Sequence, residues 1–401
     1  MTTLVDTLEA FGQRLAAFVD GPGRAFIGHD GPVDDDRIAM NVVAGSRLTH
    51  DEELAKVERL RSYQRALFDA GLAWMSGPVE LGGEGASKDT EDWVRKQIAR
   101  HAFPDNTLIR TGSQVLGPSL LAYGTETLRV EHLPRIHRGD ELVCQLFSEP
   151  DAGSDLANIK TKAVRVSGGW HVSGQKVWSS GALFADYGVC IARTDEQSSR
   201  HAGLTAMFMD MKAPGLEIRT IRQMTGGAEF CEVFFDDVFV PDEWVIGDIG
   251  GGWKVVIDVL MNERSSIGDE LLPPRSYIDK LIYSDIADRS NTATQERLAR
   301  LFINYEVGRL LIKRLQQLSE GTSGPGPELA LTKLVVTNLG QEMSDAASVL
   351  FGPRLIADSG ERGAFAWSEF LLGVPGMRIG GGTDEVLKNG VAERILGLPR
   401  H

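Results

Sequence analysis

Cys144-Gln145-Leu146-Phe147-Ser148-Glu149-Pro150-Asp151-Ala152-Gly153-Ser154-Asp155 marks a change of texture in a chain of 401 residues. Small and polar side chains around a proline suit an exposed loop with hydroxyls and free N–H groups, able to hydrogen-bond a polar ring edge or a pyrophosphate. Read alone, a plain connecting loop explains it as well. Upstream, apolar residues recur at helical spacing: Leu4, Leu8, Phe11, Leu15 and Phe18, then Leu54, Val57, Leu60, Tyr63 and Leu67. Polar, Gly-rich interruptions at 21–36 and 77–89 read as loops.

Downstream of it the rhythm is β. AVRVSGGWHVSG reads as a hairpin turning around Ser167, Gly168 and Gly169, and YGVCIAR, LTAMFMDM, LEIRTI and EFCEVFFDDVFVP follow at the short spacing of a small barrel or sandwich. From Gly252 the helical period returns. The pattern predicts a helix over 252–267, with Trp253, Val256, Val259 and Leu260 on its apolar face, and two more at 294–319 and 327–349 around the loop EGTSGPGP. A last helix should open after Thr383, with Asp384 and Glu385 in its first turn, and close near Gly397-Leu398-Pro399. The fold class is therefore α+β, with a helical domain at 1–138, a β domain at 139–245 and a second helical domain at 246–401. Strands and helices do not alternate, which excludes a TIM barrel or a doubly wound sheet.

Composition narrows the function. Hydrophobic residues at 42% and charged residues at 24% are those of a soluble globular protein. A formal net charge of −14 repels nucleic-acid backbones, yet leaves room for a small anionic ligand held by local donors. Cys144, Cys190 and Cys231 are sparse and form no CxxC, as expected of reduced thiols in the cytoplasm. The N-terminus has no signal-peptide pattern, and no apolar run is long enough to span a membrane. GxGxxG, GxxxxGK[ST] and GxSxG are all missing, so any redox chemistry must use a cofactor held without such a local cage. His132 and His137, five apart with a proline between, read as a surface turn rather than a metal site.

Two further segments match the first in character. In Gly174-Gln175-Lys176-Val177-Trp178-Ser179-Ser180-Gly181 an indole followed by two hydroxyls could stack on a flat ring and bond its edge, or could be a core tryptophan at a strand end. Arg378-Ile379-Gly380-Gly381-Gly382-Thr383-Asp384-Glu385 places three glycines before a Thr N-cap, a bare helix N-terminus open to a phosphate or carbonyl, or an ordinary capped helix.

Together the three segments and the helix–β–helix order resemble the acyl-CoA dehydrogenase family over about residues 50–401. SEPDAGSD is similar to that family's flavin loop, although Asp151 stands where Gly is commoner; GQKVWSSG is similar to its second flavin segment. TGGAEFCEVFFDDVFVP and GGTDEVLKNGVAERILGLPR resemble its β-to-helix junction and closing helix. The resemblance implies an N-terminal helical domain, a middle β-barrel or sandwich and a C-terminal four-helix bundle. It also implies FAD as cofactor and α,β-dehydrogenation of an acyl-CoA thioester to the trans-2-enoyl-CoA, as in β-oxidation, with electrons passed to an electron-transfer flavoprotein. A carboxylate of that family takes the α proton while hydride goes to flavin N5, and hydrogen bonds to the thioester oxygen stabilise the enolate-like charge.

Many members carry that carboxylate just before the Gly-Thr of the last motif, where this chain has Gly381. A second family location lies on the first long C-terminal helix before an arginine, here Met261-Asn262-Glu263-Arg264, so the resemblance implies Glu263 as the base. By the same matching Phe147, Ser148, Gly153, Ser154, Trp178, Ser179 and Ser180 would line the flavin, and Ser154 would also meet the CoA portion. Arg264, Gly381 and Gly382 would lie at the substrate, while Thr383 and Glu385 reach the adenosine half of FAD. The family's Arg-x-x-Phe-Gly grip on the neighbouring subunit's FAD is reduced to Arg289-Ser290-Asn291-Thr292-Ala293. Its Gly-Gly turn near the adenine is replaced by Val349-Leu350-Phe351-Gly352-Pro353-Arg354.

These departures suit a hetero-tetramer with a related chain, such as some bacteria use on steroid-derived acyl-CoAs, while a homo-oligomer is the family default. Moving the base to the helix opposite three glycines leaves room for bulky, branched, cyclic or steroid-derived acyl groups, though the same base position serves straight chains equally well. Two other functions share the pattern: a non-catalytic subunit of a two-chain enzyme, and a flavin oxidase or oxygenase on the same fold.

Overall fold

The computed structural model describes residues 4–28, 49–198, 200–267, 272–284, 288, 290–319, 328–356 and 366–399. These group into two compact units, one of residues up to Asn262 apart from 222–228, the other of 222–228 and residues from Glu263 onward.

The first unit opens with helices α1 (Leu4–Asp20), α2 (His50–Asp69) and α3 (Lys88–Ile98). Thr49 and Glu52 form a reciprocal capping box that starts α2, leaving fewer unpaired N–H groups at its end. Phe11, Leu15, Phe18, Val57, Leu60, Tyr63 and Leu67, the residues whose spacing marked these helices, form one buried core. Short helices α4 (Thr107–Arg110), α5 (Gly117–Tyr123) and α6 (Leu133–Arg138) follow, interrupted by π-helical turns at Thr111–Leu116 and Leu128–His132. The loop at 77–89 holds only a single short 3-10 turn before α3 begins, while the end of the 21–36 interruption lies outside the described residues.

His132 and His137 correct the sequence reading: both are buried, not on a surface turn. Leu128, His132 and Ile136 recur every four residues, as do Leu133 and His137, so both rings inherit the apolar face. Pro134 sits at the start of α6, where its missing N–H breaks no helical bond. His132 Nδ1 meets Glu141 at 2.9 Å, and the His137 ring stacks on Trp74 with centroids 3.7 Å apart.

The eight strands are β1 (Val143–Leu146), β2 (Lys162–Val166), β3 (Gly169–Ser180), β4 (Tyr187–Arg193), β5 (Leu204–Asp210), β6 (Leu216–Ile221), β7 (Phe230–Pro241) and β8 (Val245–Ile246). They make one sheet in the order β6-β7-β3-β2-β4-β5-β8, with β1 parallel to β4. β2 and β3 are the expected hairpin, and Gly168 takes the left-handed conformation its tight turn requires. One sheet face encloses Leu146, Trp170, Val172, Met207, Met209, Val233 and the three cysteines. The other, with Val143, Val189, Ile191 and Phe208, packs on Leu116, Leu120, Leu133 and on Val255, Val256 and Val259.

Those last three valines belong to α7 (Gly252–Ile267), which carries the chain into the second unit. There α8 (Arg275–Ile282), α9 (Thr292–Ser319), α10 (Leu329–Phe351), α11 (Ala366–Ile379) and α12 (Asp384–Arg394) form a helical region in which α10 contacts each of the other four. The three long helices fall where the apolar period put them, whereas EGTSGPGP lies outside the described residues. The closing helix ends at Arg394, with Gly397 left-handed just beyond it. Among the described residues no helix is long and apolar enough to cross a membrane.

Candidate active site

In the first unit the site begins with a strand irregularity. β3 pairs with β7 as Lys176↔Val233 and then Ser179↔Cys231, so β3 carries one extra residue between those pairs. The bulge holds Trp178 at φ 62, a left-handed conformation that a bulky L-residue adopts only when its surroundings impose it. Its indole is turned outward and is 58% exposed, with Phe230 edge-on at 6.0 Å. The strained backbone holds a large flat ring out in solvent, a geometry that suits stacking against a planar ligand.

Around this ring the polar groups fit a flat cofactor with a hydrogen-bonding edge. Ser179 is 1% exposed and its Oγ finds no hydrogen-bond partner among the described residues. Ser180, Gly153 and Ser154 are exposed, and a Cβ at Gly153 would meet nothing within 4 Å. The Ser148 carbonyl accepts from Val177 N–H at 2.9 Å, which ties the loop to β3 beside the bulge. Phe147 lies in the core with its side chain buried, so any contribution it makes to a ligand is through its backbone.

The pair that fixes these two segments is one the sequence reading passed over. Lys176 is wholly buried, and its ammonium donates to Glu149 at 2.8 Å and to the Phe147 carbonyl at 3.0 Å. Glu149 also accepts from the N–H groups of Lys160 at 2.7 Å and Thr161 at 3.0 Å. Burial alone would raise the Glu149 carboxyl, but Lys176, Thr161 and Lys160 outweigh it and hold it below the usual carboxylate range. With Glu149 and Ala152 bonded to each other's backbone at 3.1 Å, the loop is a tight turn rather than a slack connection. Asp151 projects from its tip into an exposed ion pair with Lys160. No local signal marks the pair: Lys176 stands in a strand that also carries Ser173, Gln175 and Ser179, and its partner lies 27 residues away.

The second unit holds the other half of the expected set. Glu263, half-buried on α7, places a carboxylate oxygen 3.3 Å from where a Cβ on Gly381 would stand. Gly381 and Gly382 have φ 65 and 98, so this turn needs glycine for its backbone as well as for space. Thr383 caps α12 by accepting from Val386 N–H at 3.2 Å, and Glu385 is exposed in the first turn. Between them Asp384 is 1% exposed and receives Arg378 at 2.7 Å and the Thr337 hydroxyl at 3.0 Å. Lys333 on α10 donates to the Gly382 carbonyl. Chemically this is a carboxylate facing a turn stripped of side chains, an arrangement that suits taking a proton from an acidic C–H. The Arg264 side chain and all of Arg289 lie outside the described residues; Val349–Phe351 end α10, and Gly352–Leu355 form a 3-10 turn.

Models of the acyl-CoA dehydrogenase N-terminal, middle and C-terminal domains match residues 37–140, 144–238 and 250–396. Acyl-CoA dehydrogenase FadE34 of Mycobacterium tuberculosis is 38% identical over 367 residues, 89% of this chain; the chain spans about half of that relative, 49% of its length. Acyl-CoA dehydrogenase IpdE1 of Mycolicibacterium smegmatis is 35% identical over 356 residues, 86% of this chain and 89% of that protein. Among solved structures, the steroid ACAD Tcur3481-Tcur3483 superposes with a TM-score of 0.76 at 26% identity, over 96% of this chain and 98% of that one. The ChsE4-ChsE5 complex of Mycobacterium tuberculosis superposes with a TM-score of 0.69 at 25% identity, over 89% and 100% of the two chains.

Proposed function

Because the chain belongs to the acyl-CoA dehydrogenase family, FAD-dependent oxidoreductases that act on acyl-CoA, we propose that it desaturates a bulky acyl-CoA thioester with Glu263 as the α-proton base. The observation that carries this reading is the Glu263 carboxylate against Gly381. The usual base position is empty of a side chain, and the alternative base leans on the space it leaves.

Glu263 takes the proton from the α carbon, and its half-buried place on α7 leaves little water for an arriving ligand to expel. Gly381 and Gly382 line the acyl group without obstructing it, and Arg264 is the neighbouring cation on the same helix. In the first unit Trp178, Ser179 and Ser180, with Phe147, Ser148, Gly153 and Ser154, would hold a flavin ring; in the second, Thr383, Glu385 and Arg289 would serve the adenosine half of an FAD. Ser154 also meets the CoA portion. The chemistry that FAD would supply here, when bound, is an acceptor for the hydride of the β carbon. The electrons then go to an electron-transfer flavoprotein.

The substrate class is a ring-bearing, steroid-derived acyl group. Support comes from the side-chain-free turn at 380–382 and from the likeness to a protein described as a steroid ACAD. The likeness to two-chain complexes supports assembly with a related chain. The test is anaerobic mixing of the flavin-loaded protein with straight-chain, branched and ring-bearing acyl-CoAs, following loss of the oxidised flavin band. Ring-bearing thioesters should bleach the band fastest, and Glu263→Gln should keep ligand binding while slowing bleaching about 10²–10⁴-fold. Near-normal bleaching by that variant would overturn the base, and a preference for straight chains would overturn the substrate class.

A further inference from the structure

The turn that faces Glu263 poses a problem of order. Gly380, Gly381 and Gly382 carry no side chains to pack, and glycine is the residue whose backbone loses most freedom on folding. Its two ends are well held. Gly380 N–H closes onto the Gly376 carbonyl at 3.0 Å as the last turn of α11. Beyond the turn, buried Asp384 is gripped by Arg378 and Thr337 at the head of α12. The middle is where the backbone is left-handed and where it meets the carboxylate, and there the Lys333 ammonium donates to the Gly382 carbonyl.

Resting on the reading that Glu263 is the base, we propose that Lys333 is a positioning residue for proton abstraction. Its charge-assisted bond fixes the tri-glycine turn, and the turn in turn supplies the wall that sets the Glu263 carboxylate. Lys333 is half-buried on α10, the helix that also carries Thr337, so two of the three grips come from one element, with Arg378 of α11 the third. The side chains at 333 and 337 point the same way because residues four apart share a helix face. An ammonium donating to a carbonyl makes a stronger bond than a neutral donor would, which suits a backbone with nothing else to pack. Proton transfer needs the acceptor oxygen held close to the C–H, and a misplacement of about 1 Å can cost about a hundredfold.

The test uses the flavin-loaded full chain with the acyl-CoA found to bleach it best, comparing Lys333→Met, Lys333→Arg and Glu263→Gln. Lys333→Met should lower kcat by about ten- to a hundredfold while KM changes by less than about threefold, with flavin content unaltered. Lys333→Arg, which can still donate to the carbonyl, should recover most of the rate. Wild-type kcat in Lys333→Met overturns the proposal, and so does a loss confined to KM or shared equally by Lys333→Arg. Glu263→Gln separates the two ideas. If it is inactive while Lys333→Met is normal, only the positioning role fails; if it is active, the base assignment fails and takes the positioning role with it.

Discussion

Trp178 and Gly381 are single residues whose backbone conformation says what their side chains do not. At φ 62 a Cβ crowds the backbone, so Trp178→Gly should be more stable than Trp178→Ala by about 1 kcal/mol, measured by denaturant unfolding without flavin. Both variants should bind flavin more weakly than the parent, since the exposed indole is gone from each. At Gly381 the same conformational cost adds to a Cβ only 3.3 Å from the Glu263 carboxylate. Gly381→Ala should therefore lose about 1 kcal/mol of stability and at least tenfold in kcat, read by unfolding and by stopped-flow bleaching. The sequence picked out both residues by type. It did not disclose that either backbone is left-handed, because a bulge at 176–179 depends on how β3 pairs with β7, a partner some fifty residues away.

Elements are held by groups that the sequence reading treated as loop chemistry. Glu149 belongs to a segment whose polar residues predict exposure, yet it closes a buried ion pair with Lys176 between the two segments expected at the flavin. Removing one partner leaves the other charge buried, so Glu149→Gln or Lys176→Met should each cost about 3–5 kcal/mol and lower flavin content. The double variant Glu149→Gln/Lys176→Met should lose less stability than the two single losses summed, a double-mutant cycle that equilibrium unfolding can close. Thr383, by contrast, was legible as an N-cap from the Thr-Asp-Glu pattern alone, because capping is local. The long helices α7, α9 and α10 were legible for the same reason. Helical periodicity is written in neighbouring residues, while a buried charge pair between segments is not.

At the scale of the molecule, the helix–β–helix order could be read along the chain, but the strand order β6-β7-β3-β2-β4-β5-β8 could not, since only the hairpin partners are adjacent in sequence. Burial of the two histidines has a consequence for the whole fold. Desolvation, aided by Arg95, pushes His137 from 6.5 down to about 3, so the folded protein keeps it neutral where the unfolded chain would protonate it. Stability contributed by the neutral ring is thus complete above pH 6.5 and declines as pH falls toward 3, by at most about 1.4 kcal/mol per pH unit. The Glu149 carboxyl, held low, begins to act only below its ordinary value of 4.5. Between those limits His137→Phe, which retains a ring against Trp74, should flatten the fall in thermal midpoint that the parent shows on acidification.

The glycine at 381 also bears on how such a chain can change over generations. With Glu263 as the base, a lineage returning the carboxylate to position 381 must cross a valley. Glu at 381 alone sets a second negative charge beside the first on a backbone shaped for glycine, and Gly at 263 alone leaves no proton acceptor. Neither intermediate is a fit ancestor of the other form, so the two positions are bound to move together or to stay where they are.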